Sequence, residues 1–204
     1  MLTRALPLAA PLVLLTACTT AIDAGPSAVA TTAPAWTVHG SASPPSTSAE
    51  GTFLPYHPGA AAITYDPAVV PAGATAGLTI TDLPYGTEVR MTATGLVPHR
   101  AYGAHLHTMP CTAIPDAAGP HYQNHQDPTQ PSVNPVYANP KNEIWLDFTA
   151  DATGAGTAVS THGWDFDPTR PPRALILHAE QTHTTAGEAG KAGERAACLT
   201  LPAH

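Results

Sequence analysis

From residue 59 onward few segments of the chain show helical periodicity; its apolar side chains fall in short runs bounded by turn residues. Eight such runs stand out: Ala62-Ile63-Thr64-Tyr65, Leu78-Thr79-Ile80-Thr81, Glu88-Val89-Arg90-Met91-Thr92, Ala104-His105-Leu106, Ile144-Trp145-Leu146-Asp147-Phe148, Thr157-Ala158-Val159-Ser160, Ala174-Leu175-Ile176-Leu177 and Ala196-Ala197-Cys198-Leu199-Thr200-Leu201. Pro84-Tyr85-Gly86, Thr94-Gly95-Leu96 and Asp151-Ala152-Thr153-Gly154 separate some of them as turns. Short strands at this spacing predict an all-β fold, an eight-stranded antiparallel barrel or sandwich with Greek-key connections. The 23 prolines oppose a helical bundle, because proline removes a donor and clashes within a helix. Two connections, residues 110–142 and 179–194, are long and irregular; loops of that kind on a rigid scaffold are where function concentrates.

The N-terminus bears on location. Arg4 precedes an apolar stretch over residues 5–15, too short to cross a bilayer as a helix, which takes roughly 20 residues. It has the proportions of a secretory signal. Leu15-Thr16-Ala17 directly before Cys18 resembles the lipobox of bacterial lipoproteins, in which the cysteine is acylated; the alternative is an ordinary signal peptide with an incidental cysteine. Residues 1–17 are therefore expected to be a signal peptide. Residues 18–58, rich in Ala, Thr, Ser and Pro, are expected to be a flexible tether that carries no chemistry at His39 or His57. Residues 59–204 are expected to form a single domain.

Fifteen acidic residues against eight lysines and arginines make nucleic acid and anionic lipid surfaces poor partners. Eleven histidines exceed the lysines and arginines together, which directs attention to metals. If Cys18 is lipidated, Cys111 and Cys198 remain, and in an oxidising compartment two remaining cysteines are normally a disulfide.

His105-Leu106-His107 carries the most chemistry per residue. On a strand, positions i and i+2 share a face roughly 6.5–7 Å apart, so two imidazoles can converge on one ion while Leu106 enters the core. His178 ends the run Ala174-Leu175-Ile176-Leu177, and His121 lies in the long loop within Ala118-Gly119-Pro120-His121-Tyr122. Four imidazoles without a thiolate suit copper or zinc, and an open tetragonal arrangement suits Cu(II).

These motifs, in this order, resemble the copper/zinc superoxide dismutases. His105-x-His107, Cys111 and Gly119-Pro120-His121 resemble that family's copper segment. Arg173-Ala174-Leu175-Ile176-Leu177-His178-Ala179 resembles the strand ending in its last copper histidine. Gly193-Glu194-Arg195-Ala196-Ala197-Cys198 resembles the segment with its active-site arginine and second disulfide cysteine. The resemblance implies that His105, His107 and His178 are fixed copper ligands and that His121 is the bridging-type, mobile ligand and proton donor. It further implies that Arg195 is the guanidinium beside the open copper position, and that Cys111–Cys198 is the family disulfide.

The zinc half departs from the family. Only His125 follows His121, as the one remaining zinc-ligand candidate, and Glu143 lies near the position of the family's zinc aspartate. The family's aspartate just after the last copper histidine is replaced by Gln181-Thr182-His183, and the loop that normally carries steering charges is shortened. These losses resemble the copper-only branch, with one copper per chain and Glu143 accepting a hydrogen bond from the non-metal nitrogen of His121. The implied function is dismutation of superoxide to O₂ and H₂O₂ outside the cytoplasm, on a lipid-anchored protein of the bacterial envelope that meets the membrane only through its anchor. A monomer is favoured over a homodimer. The alternative is a non-enzymatic copper storage or delivery lipoprotein on the same fold.

Overall fold

The hairpin of β3 (Thr75–Leu83) and β4 (Gly86–Thr94) shows most directly how sequence becomes structure. Its two strands pair antiparallel from Thr75↔Thr94 to Leu83↔Gly86, leaving Pro84 and Tyr85 as the connection. Period-2 alternation sends Ala76, Leu78, Ile80, Val89, Met91 and Ala93 inward and their polar neighbours toward solvent. The computed structural model describes residues 43–202 of the 204-residue chain.

β1 (Ser46–Thr52) and β8 (Gly156–His162) flank this hairpin, giving a four-stranded sheet in the order β1-β3-β4-β8. A second sheet has the order β2-β10-β9-β6 and is built from β2 (Ala62–Thr64), β10 (Arg195–Thr200), β9 (Ala174–His178) and β6 (Ala104–His107). β5 (Ala101–Tyr102) and β7 (Phe148–Thr149) make a short two-stranded ladder. One core lies between the large sheets: Leu78, Ile80 and Met91 from the first meet Leu106, Leu175, Leu177 and Leu199 from the second. Each such buried side chain contributes about 1.5–3 kcal/mol relative to exposure. β9 is buried at every position because its other face is also covered: its Ala174 and Ile176 pack with Ala118 and Cys198, and with Tyr65 and Cys111. That is why it reads as a continuous apolar run instead of an alternating one.

Three expectations need correction. The all-β antiparallel fold is as expected and takes the sandwich form, with two large sheets that do not close into a barrel; only the strand count differs, ten among the described residues where eight were expected. The expected strand over residues 144–148 enters a ladder only at Phe148, although Leu146 N–H donates to the Ala104 carbonyl (2.8 Å) and Trp145 bridges to His105. The expected tether also ran too far. Within it, Ser46–Thr52 pairs along β3's outer edge from Thr81 to Thr75, and Phe53 is fully buried. β1 has only Ala49 as an apolar side chain, so its register comes from backbone pairing that no periodicity announces. Gly51 fits where β1 passes β2: a Cβ there would lie 2.6 Å from that of Ala62. The signal peptide, Cys18 and His39 lie outside the described residues; His57 is exposed.

Cys111, in the loop after β6, is bonded to Cys198 in β10 with a Cα–Cα separation of 5.8 Å. The bridge ties the start of the long loop to the strand that begins with Arg195.

Candidate metal centre

Leu106 points into the core, so His105 and His107 share the opposite face of β6. β6 is an edge strand, and the long loop folds back along its open side. Tyr122 N–H donates to the Leu106 carbonyl (2.7 Å), Met109 N–H to Ala118 (2.9 Å), and His121 bridges to His107. This covers a reactive sheet edge and brings His121 over the pair. The segment after His121 is clamped by Arg170, whose Nη1 and Nη2 donate to the carbonyls of Gln123 and Asn124, both at 2.8 Å. From the neighbouring strand, His178 arrives at the end of β9, held by its N–H to the Gly103 carbonyl (2.8 Å).

The four histidines thus converge. One ligand-capable atom of each lies within 4.8 Å of the others, and among the described residues this is the one metal-competent group of His, Cys, Asp and Glu side chains. Ring centroids are 4.0 Å apart for His105–His121, 4.8 Å for His107–His121 and 5.5 Å for His107–His178. His125 is outside the group. It is exposed, and its backbone is paired with the Asn142 side chain at 2.8 Å on both its N–H and its carbonyl.

Each ring spends one nitrogen on the protein. His107 Nδ1 donates to the Gly119 carbonyl (2.9 Å), and His178 Nδ1 makes a longer contact to the Gly193 carbonyl (3.4 Å). His121 Nδ1 donates to Glu143 Oε2 (2.9 Å), and His105 Nε2 lies 2.7 Å from Thr182 Oγ1. The nitrogens left over meet at the centre. With both Nδ1 protons given to carbonyls, His107 Nε2 and His178 Nε2 face each other 3.3 Å apart with lone pairs only. His105 Nδ1 is buried without a partner in the protein. Lone pairs opposed across a short gap and a buried orphan nitrogen are a donor set that a cation satisfies.

The electrostatics agree. Burial, and then the neighbouring His121, hold His105 and His107 well below the ordinary imidazole range, and the same causes bring His178 down to about 3. The rings therefore stay neutral and able to ligate at neutral pH.

Glu143 lies beneath the site, 1% exposed, with its carboxylate accepting three donors. Oε2 takes His121 Nδ1 and Trp145 Nε1 (2.7 Å), and Oε1 takes Gln123 Nε2 (2.7 Å). Gln123 Oε1 in turn accepts from Asp127 N–H (2.8 Å) and Gln130 Nε2 (3.1 Å), and Asp127 Oδ2 accepts from Ser132 Oγ (2.6 Å).

Arg195 opens β10 opposite His178. A bulge between Arg195 and Ala197 interrupts the register there, and bulges re-aim side chains. Its Nη1 and Nη2 donate to the carbonyls of Pro115 (3.0 Å) and Gly119 (2.7 Å), with Asp116 3.6 Å from Nε. Gly119 has φ +75°, and a Cβ there would collide with Thr108 Oγ1, so glycine alone permits this turn. A cavity of about 270 Å³ is lined by His121, Glu143, His178, Lys191 and Arg195. Sequence reasoning missed Lys191 as a second cation at this cavity, and it also missed Asp147 and Thr182 beside His105. Lys191 could have been found as the lone lysine of residues 179–194.

A two-sheet antiparallel β-protein with four histidines converging at the end of one sheet defines a class of β-sandwiches with a metal-competent histidine cluster. Within that class, the chain has the fold of the copper/zinc superoxide dismutases. Over 78% of its length it superposes on the whole of Cu/Zn superoxide dismutase from Brucella abortus, with a TM-score of 0.52 at 21% identity. A point variant of a SOD-like protein from Bacillus subtilis matches 62% of this chain and 88% of its own (TM-score 0.48, 17% identity). A double variant of a SOD-like protein from the same organism matches 61% and 87% (TM-score 0.44, 19% identity). No protein-family model and no curated protein matches the chain.

Proposed function

We propose that this chain is a copper-dependent superoxide dismutase of the copper-only kind. It acts outside the cytoplasm and is held at the outer face of a bacterial membrane by a lipid on Cys18. The observation that carries the reading is the conjunction of four histidines, each with one nitrogen committed to the protein and one free, with Arg195 on the wall of the same small cavity. A storage site has no use for a guanidinium beside its ligands.

Copper, held by His105, His107, His121 and His178, supplies the one-electron couple that oxidises one superoxide and reduces the next. The chain's own residues do the rest. Arg195 and Lys191 place positive charge at the cavity of a protein whose formal net charge is −7, attracting a small anion. Arg195 is oriented by two carbonyls, so its fork is fixed before an anion arrives. His121, with 15% of its side chain exposed, faces the cavity while His105 and His107 are sealed. It is thus the ring placed to take up a solvent proton at Nε2 when that nitrogen is not ligating, and to pass that proton to product. Glu143 keeps its Nδ1 proton in place and fixes the tautomer.

The test is reconstitution of the full chain with copper, followed by dismutation rates for wild type, His121→Ala and Arg195→Ala. Turnover that falls in His121→Ala, and a slower rate with weaker ionic-strength dependence but retained copper in Arg195→Ala, support the enzyme. Tight copper with negligible wild-type turnover assigns the protein to storage or delivery instead. One equivalent of zinc per chain, in protein purified without chelators, overturns the copper-only reading. Cys18→Ser should move the protein from the membrane fraction to the soluble fraction; no change removes the anchor.

A further inference from the structure

We propose that Asp147 is a positioning residue that, acting through the Thr182 hydroxyl, fixes His105 in the tautomer that binds metal through Nδ1. The inference rests on the copper reading given above. It is independent of whether the bound copper turns over.

The argument follows one chain of protons. Asp147 Oδ2 accepts the Thr182 backbone N–H at 2.8 Å, and Oδ1 lies 2.7 Å from Thr182 Oγ1. Ala104 N–H adds a longer contact to Oδ1 at 3.3 Å. A carboxylate offers only lone pairs, so the hydroxyl proton of Thr182 points to Asp147. The hydroxyl then has only lone pairs to present to its other neighbour, His105 Nε2, at 2.7 Å. Nε2 must therefore carry the ring proton, and Nδ1 is left bare. Nδ1 is the buried nitrogen without a protein partner. The direct His105–Asp147 separation, 3.7 Å, is too long for a hydrogen bond, so the threonine is a required intermediate.

Topology places the three residues together from distant parts of the chain. His105 is on β6, Asp147 directly precedes β7, and Thr182 lies four residues beyond His178. The segment leaving the ligand His178 thus supplies, four residues on, the hydroxyl that orients another ligand. Trp145, from Asp147's own segment, packs edge-on against His105 with centroids 5.9 Å apart, restricting the ring's rotation. The other three rings use Nδ1 for the protein and present Nε2; His105 is reversed, and Asp147 with Thr182 is what reverses it.

The test uses the full chain, stripped of metal and titrated with Cu(II) against a chelator of known affinity, with electron paramagnetic resonance spectra of each loaded form. Asp147→Asn and Thr182→Val are expected to weaken copper binding roughly 10–100-fold and to change the copper hyperfine splitting. Thr182→Ser, which keeps the hydroxyl, restores both. Thr182→Val leaves Asp147 its two backbone donors, so it stays informative if Asp147→Asn does not fold. Wild-type affinity and an unchanged spectrum in Thr182→Val overturn the proposal, as does a Thr182→Ser protein that behaves like Thr182→Val. Tight wild-type copper without dismutation overturns the enzymatic reading and leaves this one standing.

Discussion

Glu143→Gln is the substitution that separates charge from shape at the centre. Glutamine is nearly isosteric, but it keeps one acceptor oxygen where glutamate has two. If that oxygen takes the place of Oε2, His121 Nδ1 and Trp145 Nε1 keep an acceptor, and the new amide confronts Gln123 Nε2 donor to donor. Turning Gln123 over does not help, because its Oε1 already accepts from Asp127 N–H and Gln130 Nε2. The opposite placement strands two donors instead of one. At least one buried donor is therefore unsatisfied, and the surviving bonds lose their charge assistance, for a total cost of about 2–4 kcal/mol. For a domain of this size that corresponds to a fall in melting temperature of roughly 5–15 °C. Metal-free protein with the disulfide intact should show the loss in urea unfolding, and copper affinity should weaken roughly 10–100-fold in a chelator competition. A variant within about 0.5 kcal/mol of wild type, the range of ordinary surface substitutions, and with unchanged copper affinity would refute the three-donor account of Glu143.

Other consequences are simpler to state. Phe53→Ala should cost about 3–5 kcal/mol in denaturant unfolding, as for a core phenylalanine; a negligible effect would return residues 46–53 to the tether. Removing both bridge cysteines, Cys111→Ala with Cys198→Ala, releases a loop spanning 87 residues. The chain-entropy relation puts that loss at about 4–5 kcal/mol, and an unfolding midpoint equal to wild type would contradict it. Metal-free protein should lose stability as pH falls from the ordinary imidazole value of 6.5 toward about 3. Over that window the unfolded chain takes up a proton at His178 that the folded chain refuses, and His105 and His107 act in the same direction. Urea midpoints at pH 7 and pH 5 test this; a higher midpoint at pH 5 would reverse the sign.

Much of this molecule is written locally. Leu78, Ile80, Val89 and Met91 alternate with polar neighbours, and the run ending at His178 is unbroken because both faces are covered. Such periodicities make strands readable one at a time. The pairing of His105 with His107 across one intervening core residue is readable for the same reason, and so are turns such as Pro84-Tyr85. β1 is not readable, since an edge strand of Ser, Thr, Glu and Gly gains its place from the partner's hydrogen bonds. Asp147 and Thr182 are hidden differently. They stand 35 residues apart, and nothing within either segment marks the other. The sequence marks only a loss, with Gln181-Thr182-His183 standing where the resembled family has an aspartate after its last copper histidine. The structure supplies the carboxylate from another part of the chain and puts a hydroxyl in between.

The Gly119 carbonyl has a consequence for how this centre can change. One oxygen receives both the Nδ1 proton of His107 and the Nη2 proton of Arg195. A shift of that peptide moves the ring and the guanidinium together, so the orientation of a ligand and the reach of the cation form a single variable. Substitutions at the two positions will not add, and a double-mutant cycle between them should return an interaction energy of about 0.5–3 kcal/mol. Under the proposed function, selection acting on anion capture would thereby act on the histidine set as well, and neither could drift while the other stays fixed.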